Sequence, residues 1–257
     1  MADLLLVERR GPVCLLTLNR PESRNAINDA LAFAVADTLT TFDADPLLRV
    51  AVITGAPPGF SAGMDLKAFA AGERGVAGTG GFAGITRQPP EKPIIAAVEG
   101  FALAGGLEIA LACDLIVSAR DARFGLPEVR LGIVAAAGGL LRLPSRIAYH
   151  AAAELVLTGA PIDAERAYAL GLVNRLTGPG AALETALVLA SEIAQNGPTA
   201  LAVTKRLLTR AAGSPTSEDW DEHDAVAEIA LGSDEAREGA IAFAERREPS
   251  WRSPEPS

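Results

Sequence analysis

An α/β fold closed by a helical C-terminal region is predicted for this chain by three features of its hydrophobic pattern. Short continuous apolar runs of strand length recur through the first half, segments with helical spacing lie between them, and the pattern turns helical from Pro144 onward. Val13–Leu18 is the first β-prone run, and Asn19-Arg-Pro-Glu-Ser breaks it. Leu31, Val35, Leu39 and Phe42 then fall on one side of a helix from Asp29 to Phe42. Val50–Thr54 is a strand bounded by Gly55 and Pro57-Pro58-Gly59. Ile94–Val98 is another, followed by a glycine turn and an apolar helix over Gly106–Cys113. Leu115–Ala119 is a further strand, and Phe124 begins one more. Strands that are apolar on both faces and alternate with helices imply a largely parallel sheet with helices on it. Helices are expected over Ala148–Leu157, Ala164–Ala169, Ala181–Gln195 and Ala200–Ala212, and Asn196-Gly197-Pro198 punctuates the last two. Residues 1–195 therefore read as the α/β core and 196–257 as a C-terminal helical part, with an extended Pro- and charge-rich tail from Glu248 to Ser257.

Composition narrows the function classes. With 257 residues and 49% hydrophobic side chains the chain can bury a large core, but only 5% are aromatic, so Ala, Leu, Val and Ile must build it. The net charge of −9 and the absence of any Lys/Arg run argue against general nucleic-acid binding, although a local basic patch can still receive an anion. Cys14 and Cys113 lie in apolar runs without metal-type spacing and read as buried reduced thiols. The apolar run Leu4–Val7 is too short for an export signal, and no stretch reaches the ~20 apolar residues of a membrane span. A soluble, cytoplasmic protein is the expectation.

Several motifs bear on chemistry. Ala104-Gly105-Gly106 follows a strand and opens a helix, whose first N–H groups have no intrahelical acceptor and favour negative charge beyond them. Glu108 lies in the first turn of that helix, and Glu128 follows Pro127 as if opening a short one. Either glutamate alone reads as a simple partner of a helix dipole, whereas two carboxylates with two exposed-amide turns suit proton movement beside a carbonyl. Gly59-Phe-Ser61-Ala-Gly63 matches a G-x-S-x-G nucleophile elbow but lacks the immediately preceding strand, and the two histidines, His150 and His223, sit in helix-like segments as surface or core residues. Gly78-Thr-Gly80-Gly-Phe-Ala83 matches the dinucleotide fingerprint without its strand and helix, so the glycine-rich stretch Gly72–Gly84 reads as a mobile loop.

Taken in order, these motifs resemble the crotonase superfamily of enoyl-CoA hydratases, isomerases and relatives. The resemblance runs over nearly the whole chain: Asn19–Ile27, Phe60–Lys67, Gly100–Asp114, Phe124–Gly132, Gly138-Gly139, Leu157-Thr-Gly159 and Ala169–Asn174. It implies a spiral of β-β-α turns with two roughly perpendicular sheets, a C-terminal helical region that covers the site, and homotrimers, often paired into hexamers. It also implies an acyl-CoA thioester substrate and no metal or redox cofactor. By motif matching the oxyanion-hole amides fall on Met64 and Gly105, the catalytic pair on Glu108 and Glu128, and the CoA-binding segment on Arg24, Ala26, Ala62, Asp65, Leu66 and Lys67. Arg24 and Lys67 are the phosphate partners in that scheme.

The chain departs from the resemblance in one place. Many hydratases have Pro-Gly where Ala135 and Ala136 stand here, so the β-carbons of these two alanines would border the acyl pocket. Leu126–Val134, Leu140–Pro144 and Ile241–Trp251 also resemble the carnitinyl-CoA dehydratase branch, whose acyl group carries a trimethylammonium and would want an acidic or aromatic cage. The expectation is hydration of a 2-enoyl-CoA. The alternatives are carnitinyl-CoA dehydration or double-bond isomerisation on the same scaffold, or an acyl-CoA-binding protein without turnover.

Overall fold

The computed structural model describes residues 3–213 and 215–252. Its main sheet has six strands in the order β1-β2-β3-β4-β6-β9: β1 (Leu5–Arg10), β2 (Val13–Leu18), β3 (Val50–Gly55), β4 (Ile94–Val98), β6 (Leu115–Ala119) and β9 (Arg175–Thr177). All neighbours are parallel except β1, which pairs antiparallel with β2 at the edge. A smaller sheet joins β5 (Phe101–Leu103), β7 (Arg123–Gly125) and β8 (Ile162–Asp163).

The continuous apolar runs are explained by burial on both faces. Cys14, Leu16, Ala51, Ile53, Ala96 and Val98 face one core, with helix α1 (Asp29–Ala44) and helix α3 (Gly105–Ala112). Val13, Leu15, Val50, Val52, Ile95 and Ala97 face the other, under helix α7 (Ala182–Ala194). The period of two sends alternate residues to opposite faces. Helix α7 meets the sheet through Ala182, Ala186, Ala190 and Ala194. Those small side chains let the helix lie close, the packing expected of a core poor in aromatics. On α1 the predicted stripe of Leu31, Val35, Leu39 and Phe42 is buried, each such side chain stabilising by roughly 1.5–3 kcal/mol.

Short helix α2 (Leu66–Ala70) follows β3, and α4 (Gly139–Arg146), α5 (Tyr149–Thr158) and α6 (Ala164–Ala169) lead from β7 to β9. Helix α4 begins five residues before Pro144, ahead of the expected helical region; the proline lies inside it. Helices α8 (Pro198–Ala211), α9 (Ser217–Leu231) and α10 (Asp234–Glu245) complete the chain. Thr216 and Asp219 form a capping box at α9, and the Ser233 hydroxyl caps α10. Of the tail expected to be extended, Ser250–Arg252 form a 3-10 turn and 253–257 lie outside the described residues.

Helix α10 presses on a 3-10 turn, Glu128–Leu131, through Gly239. A β-carbon there would stand 2.5 Å from the Leu131 carbonyl carbon. Gly239→Val therefore has to lift α10 from the turn that carries Glu128. The expected result is a loss of about 1–3 kcal/mol by urea denaturation, together with a reduced kcat.

The stretch 72–84, expected to be a mobile loop, is packed. Ala77, Phe82 and Ala83 are buried, and Val76 bridges to Phe82. Its fingerprint glycines form a single 3-10 turn, Gly78–Gly80, without the directly preceding strand and following helix in which that fingerprint works.

Candidate active site

The two glutamates converge because β5 and β7 are parallel neighbours that end side by side. Leu103 is paired with Gly125, and the Ala104 amide donates to the Gly125 carbonyl at 2.9 Å. From β5 the chain turns at Ala104 into α3, whose first turn carries Glu108. From β7 it passes through Leu126-Pro127 to Glu128, the first residue of its 3-10 turn. Ala104 has φ 51° and ψ −129°, a conformation alanine rarely adopts. Strain of that kind, of order 1–3 kcal/mol, is held by the strand pairing behind it and turns the next amides out of the sheet.

Glu108 is 3% exposed and Glu128 8%. They are held differently. The Oε1 of Glu108 accepts from the amides of Ala137 and Gly139, both at 2.8 Å, so the loop between β7 and α4 grips it. The Oε2 of Glu128 is buried with no hydrogen-bond partner among the described residues. Burial raises the Glu108 carboxyl well above the ordinary range, to about 7, against the opposing pull of the Gly139 and Ala137 amides and the Arg142 guanidinium. Burial and then the charge of Glu108 raise Glu128 further, to about 8. Near neutral pH the pair shares a proton, and the two amides and Arg142 favour Glu108 as the ionised member.

A second turn lies on the other side of β5. Ser61 bridges to Ala102, and the Leu103 amide donates to the Ser61 carbonyl at 3.1 Å. Gly63, with φ +90°, approaches so closely that a β-carbon on it would stand 2.6 Å from the Gly105 nitrogen. The Met64 and Gly105 amides thus belong to adjoining turns, and neither donates to an acceptor among the described residues. Phe82 lies over Gly105, where a β-carbon would be 2.5 Å from the ring.

The Asn19–Ile27 motif largely builds this turn. Asn25 is fully buried with φ 54°; its side chain accepts from the Arg20 amide at 2.9 Å and donates to the carbonyls of Ala56 and Gly59, both at 2.7 Å. Asp65 caps α2 and pairs with Arg20 at 2.8 Å, which holds its carboxyl below the usual range despite partial burial. Of the residues matched to CoA binding, Asp65 thus has its side chain engaged by Arg20 and by the first amides of α2. Buried Ala26 and half-buried Ala62 are brought together, the Ala62 amide donating to the Arg24 carbonyl at 3.1 Å. Leu66 begins α2, and Arg24 and Lys67 are exposed beside this turn without an ion pair among the described residues.

Ala135 is buried and Ala136 half-buried in the loop whose following amides hold Glu108. Sequence reasoning did not single out Arg142 on α4 or Trp220 on α9. Arg142 is 6% exposed; a β-carbon on Gly138 would contact its Nη1 and stand 2.6 Å from Trp220 Cη2. The Ser61 hydroxyl donates to the Asn25 carbonyl at 2.8 Å and accepts from the Gly63 amide at 3.1 Å, so it is a structural group and no elbow nucleophile. His150 is exposed and packs edge-on to Tyr149, whereas the His223 side chain is buried beside Trp220. Cys14 and Cys113 are buried free thiols, both pushed up by burial.

The enoyl-CoA hydratase/isomerase family profile matches residues 8–254. The chain belongs to this family. A carnitinyl-CoA dehydratase from Salmonella arizonae is 42% identical over 98% of this chain and 99% of that protein. Among solved structures, a carnitinyl-CoA hydratase from Mycobacterium avium superposes with a TM-score of 0.93 at 42% identity, covering 98% of this chain and 99% of the other. An enoyl-CoA hydratase from Mycobacterium marinum gives 0.80 at 52% identity, covering 96% and 97%. The crotonase-like α/β fold implied by the motifs is the fold found, and this chain is an enzyme of the enoyl-CoA hydratase/isomerase family. No helix among its described residues is long and apolar enough to cross a membrane.

Proposed function

We propose that this family member is an enoyl-CoA hydratase, adding water reversibly to a 2-enoyl-CoA to give a 3-hydroxyacyl-CoA. One observation carries the reading: two buried carboxyls, one gripped by two amides and the other with an unpartnered oxygen, occur with adjoining turns whose Met64 and Gly105 amides have no acceptor among the described residues, Gly105 opening the helix that carries Glu108. The thioester oxygen binds between those amides. Glu108, ionised, takes a proton from water as the water oxygen bonds to C3. The electrons of the C2–C3 double bond move toward the thioester oxygen, and the two amides stabilise that enolate. Glu128 then delivers its proton to C2. Glu108 is left protonated and Glu128 ionised, and a proton passed from the first to the second restores the starting pair. These steps call on no metal or redox cofactor.

The CoA phosphates lie against Arg24 and Lys67, and Ala26, Ala62 and Leu66 border the CoA moiety. Ala135 and Ala136 narrow the acyl pocket. The same reading assembles the chain as a homotrimer or a dimer of trimers, supported by exposed Leu207, Leu208 and Ile229 on the C-terminal helices. The buried thiols support a reducing, cytoplasmic setting. Carnitinyl-CoA dehydration is the second reading, favoured by the higher TM-score of the carnitinyl-CoA hydratase structure.

Loss of conjugated enoyl-thioester absorbance on a short 2-enoyl-CoA tests the reading. No loss despite measurable binding of the thioester would overturn it. The pH profile is a second check. The active pair holds one proton, so kcat falls on the acid side as Glu108 is protonated and on the alkaline side as pH rises through the raised Glu128 value, about 8. A rate still rising above pH 9 would contradict Glu128 as the proton donor.

A further inference from the structure

Four buried side-chain polar atoms have no hydrogen-bond partner among the described residues: Glu128 Oε2, Thr86 Oγ1, Arg142 Nη1 and His223 Nε2. The proposed hydration accounts for the first. The other three belong to residues around Trp220: Arg142 and His223 meet its ring, and Thr86 precedes Arg87, which lies over it. Arg142 Nη2 donates to the Thr86 carbonyl. A β-carbon on Gly138 would touch Arg142 Nη1 and Trp220, whereas one on Gly139 would stand 3.0 Å from Glu108 Oε1. The His223 ring meets Trp220 edge-on at 5.4 Å between centroids. Buried polar atoms are nearly always paired, so three orphans on neighbouring residues, one of them a guanidinium nitrogen that feels Glu108 as a nearby charge but makes no hydrogen bond, point to a group supplied by a ligand.

We propose that Arg142, Thr86 and His223 form a receptor for an oxygen function, hydroxyl or carboxylate, at the distal end of the acyl group. The inference rests on the acyl-CoA reading of the Glu108–Glu128 site and deepens it to a substrate class. Arg142 Nη1 and the Thr86 hydroxyl donate to such an oxygen. His223 Nδ1 faces Asp224 at 3.3 Å, leaving Nε2 to accept from a hydroxyl or, when the ring is protonated, to donate to a carboxylate. A saturated alkyl terminus would leave all three atoms unpaired.

The same residues oppose a trimethylammonium terminus. Its recognition requires a free aromatic face or an unpaired carboxylate. The aromatic present is Trp220, and the guanidinium carbons of Arg87 and Arg142 already lie 4.7 and 5.6 Å from its ring centroid. Asp224, the nearby carboxylate, is paired with Arg87.

Four 2-enoyl-CoA thioesters of equal chain length, ending in methyl, hydroxyl, carboxylate or trimethylammonium, test the inference. The expected kcat/KM is about ten- to a hundred-fold higher for the hydroxyl or carboxylate terminus than for methyl, with trimethylammonium lowest. In Arg142→Met and Thr86→Val the ratio of oxygen-terminated to methyl-terminated substrate should fall toward one, whatever happens to the absolute rates. Methyl equal to or better than both oxygen termini, or an oxygen preference unchanged in both variants, overturns the receptor. Kd values for the matching saturated acyl-CoAs separate the two readings. An oxygen preference in binding without hydration of any substrate would sink the hydratase reading and keep the receptor; hydration without that preference would do the reverse.

Discussion

Glu108→Gln and Glu128→Gln are each expected to lower the kcat for 2-enoyl-CoA hydration by about 10²–10⁴-fold, the range for losing a positioned general acid or base. Both substitutions keep the side-chain shape, so the losses read chemistry. In Glu108→Gln an amide oxygen can still accept from the Ala137 and Gly139 amides, but the negative charge and the proton acceptor are gone. In Glu128→Gln the donated proton is gone. Stability distinguishes this from misfolding. A carboxyl whose folded pKa is raised leaves the fold most stable below the unfolded value and weakens it as pH rises toward the folded value, here about 8 for Glu128. Glu128→Gln removes that liability, so its Tm at pH 8 should equal or exceed that of the unmodified protein while kcat collapses. A double variant should be little slower than the worse single one, because the pair acts as a unit. Retention of hydration in Glu108→Gln would remove Glu108 from the mechanism, and double-bond migration that survives this substitution, in place of hydration, would move the assignment to an isomerase built on one acid.

Much of the scaffold was legible because its signals are local. The strands β2, β4 and β6 and helix α6 fall where continuous apolar runs and alanine-rich helical spacing put them. Other elements carry no local signal. β1 joins a short, mostly exposed apolar run to three charged residues at a sheet edge, and β5 is three residues between Gly100 and the turn at Ala104. Its identity depends on pairing with β7, which sequence spacing does not reveal. Glycine content made 72–84 look mobile, whereas buried Phe82 packs it against Gly105. The site divides in the same way. Glu108 and Glu128 stand out as carboxylates in glycine and proline turns, but the amides of Ala137 and Gly139 have no side-chain signature. Arg142 and Trp220 come from α4 and α9 and meet only through tertiary packing. The Arg20–Asp65 pair is likewise invisible to local reading, because 45 residues separate its two members.

Gly63→Ala is expected to cost about 100–1000-fold in hydration kcat, the loss typical of one oxyanion donor. Two effects are superposed at this position and can be separated. The first is backbone strain, because φ +90° is unfavourable for any residue with a β-carbon. The second is steric, because that β-carbon would stand 2.6 Å from the Gly105 nitrogen and must push the two turns apart. Gly72 provides the control. Its φ is +96°, yet a β-carbon there meets nothing within 4 Å. Gly72→Ala should therefore lose a comparable ~1–2 kcal/mol of stability with kcat unchanged. Only Gly63→Ala should lose both stability and catalysis, with binding of a saturated acyl-CoA reduced far less than kcat, since the enolate oxygen needs the amides more than the ground-state carbonyl does. Equal kcat losses in the two variants would mean that strain alone, transmitted through the fold, accounts for the effect, and the paired amides of Met64 and Gly105 would lose their place in the mechanism.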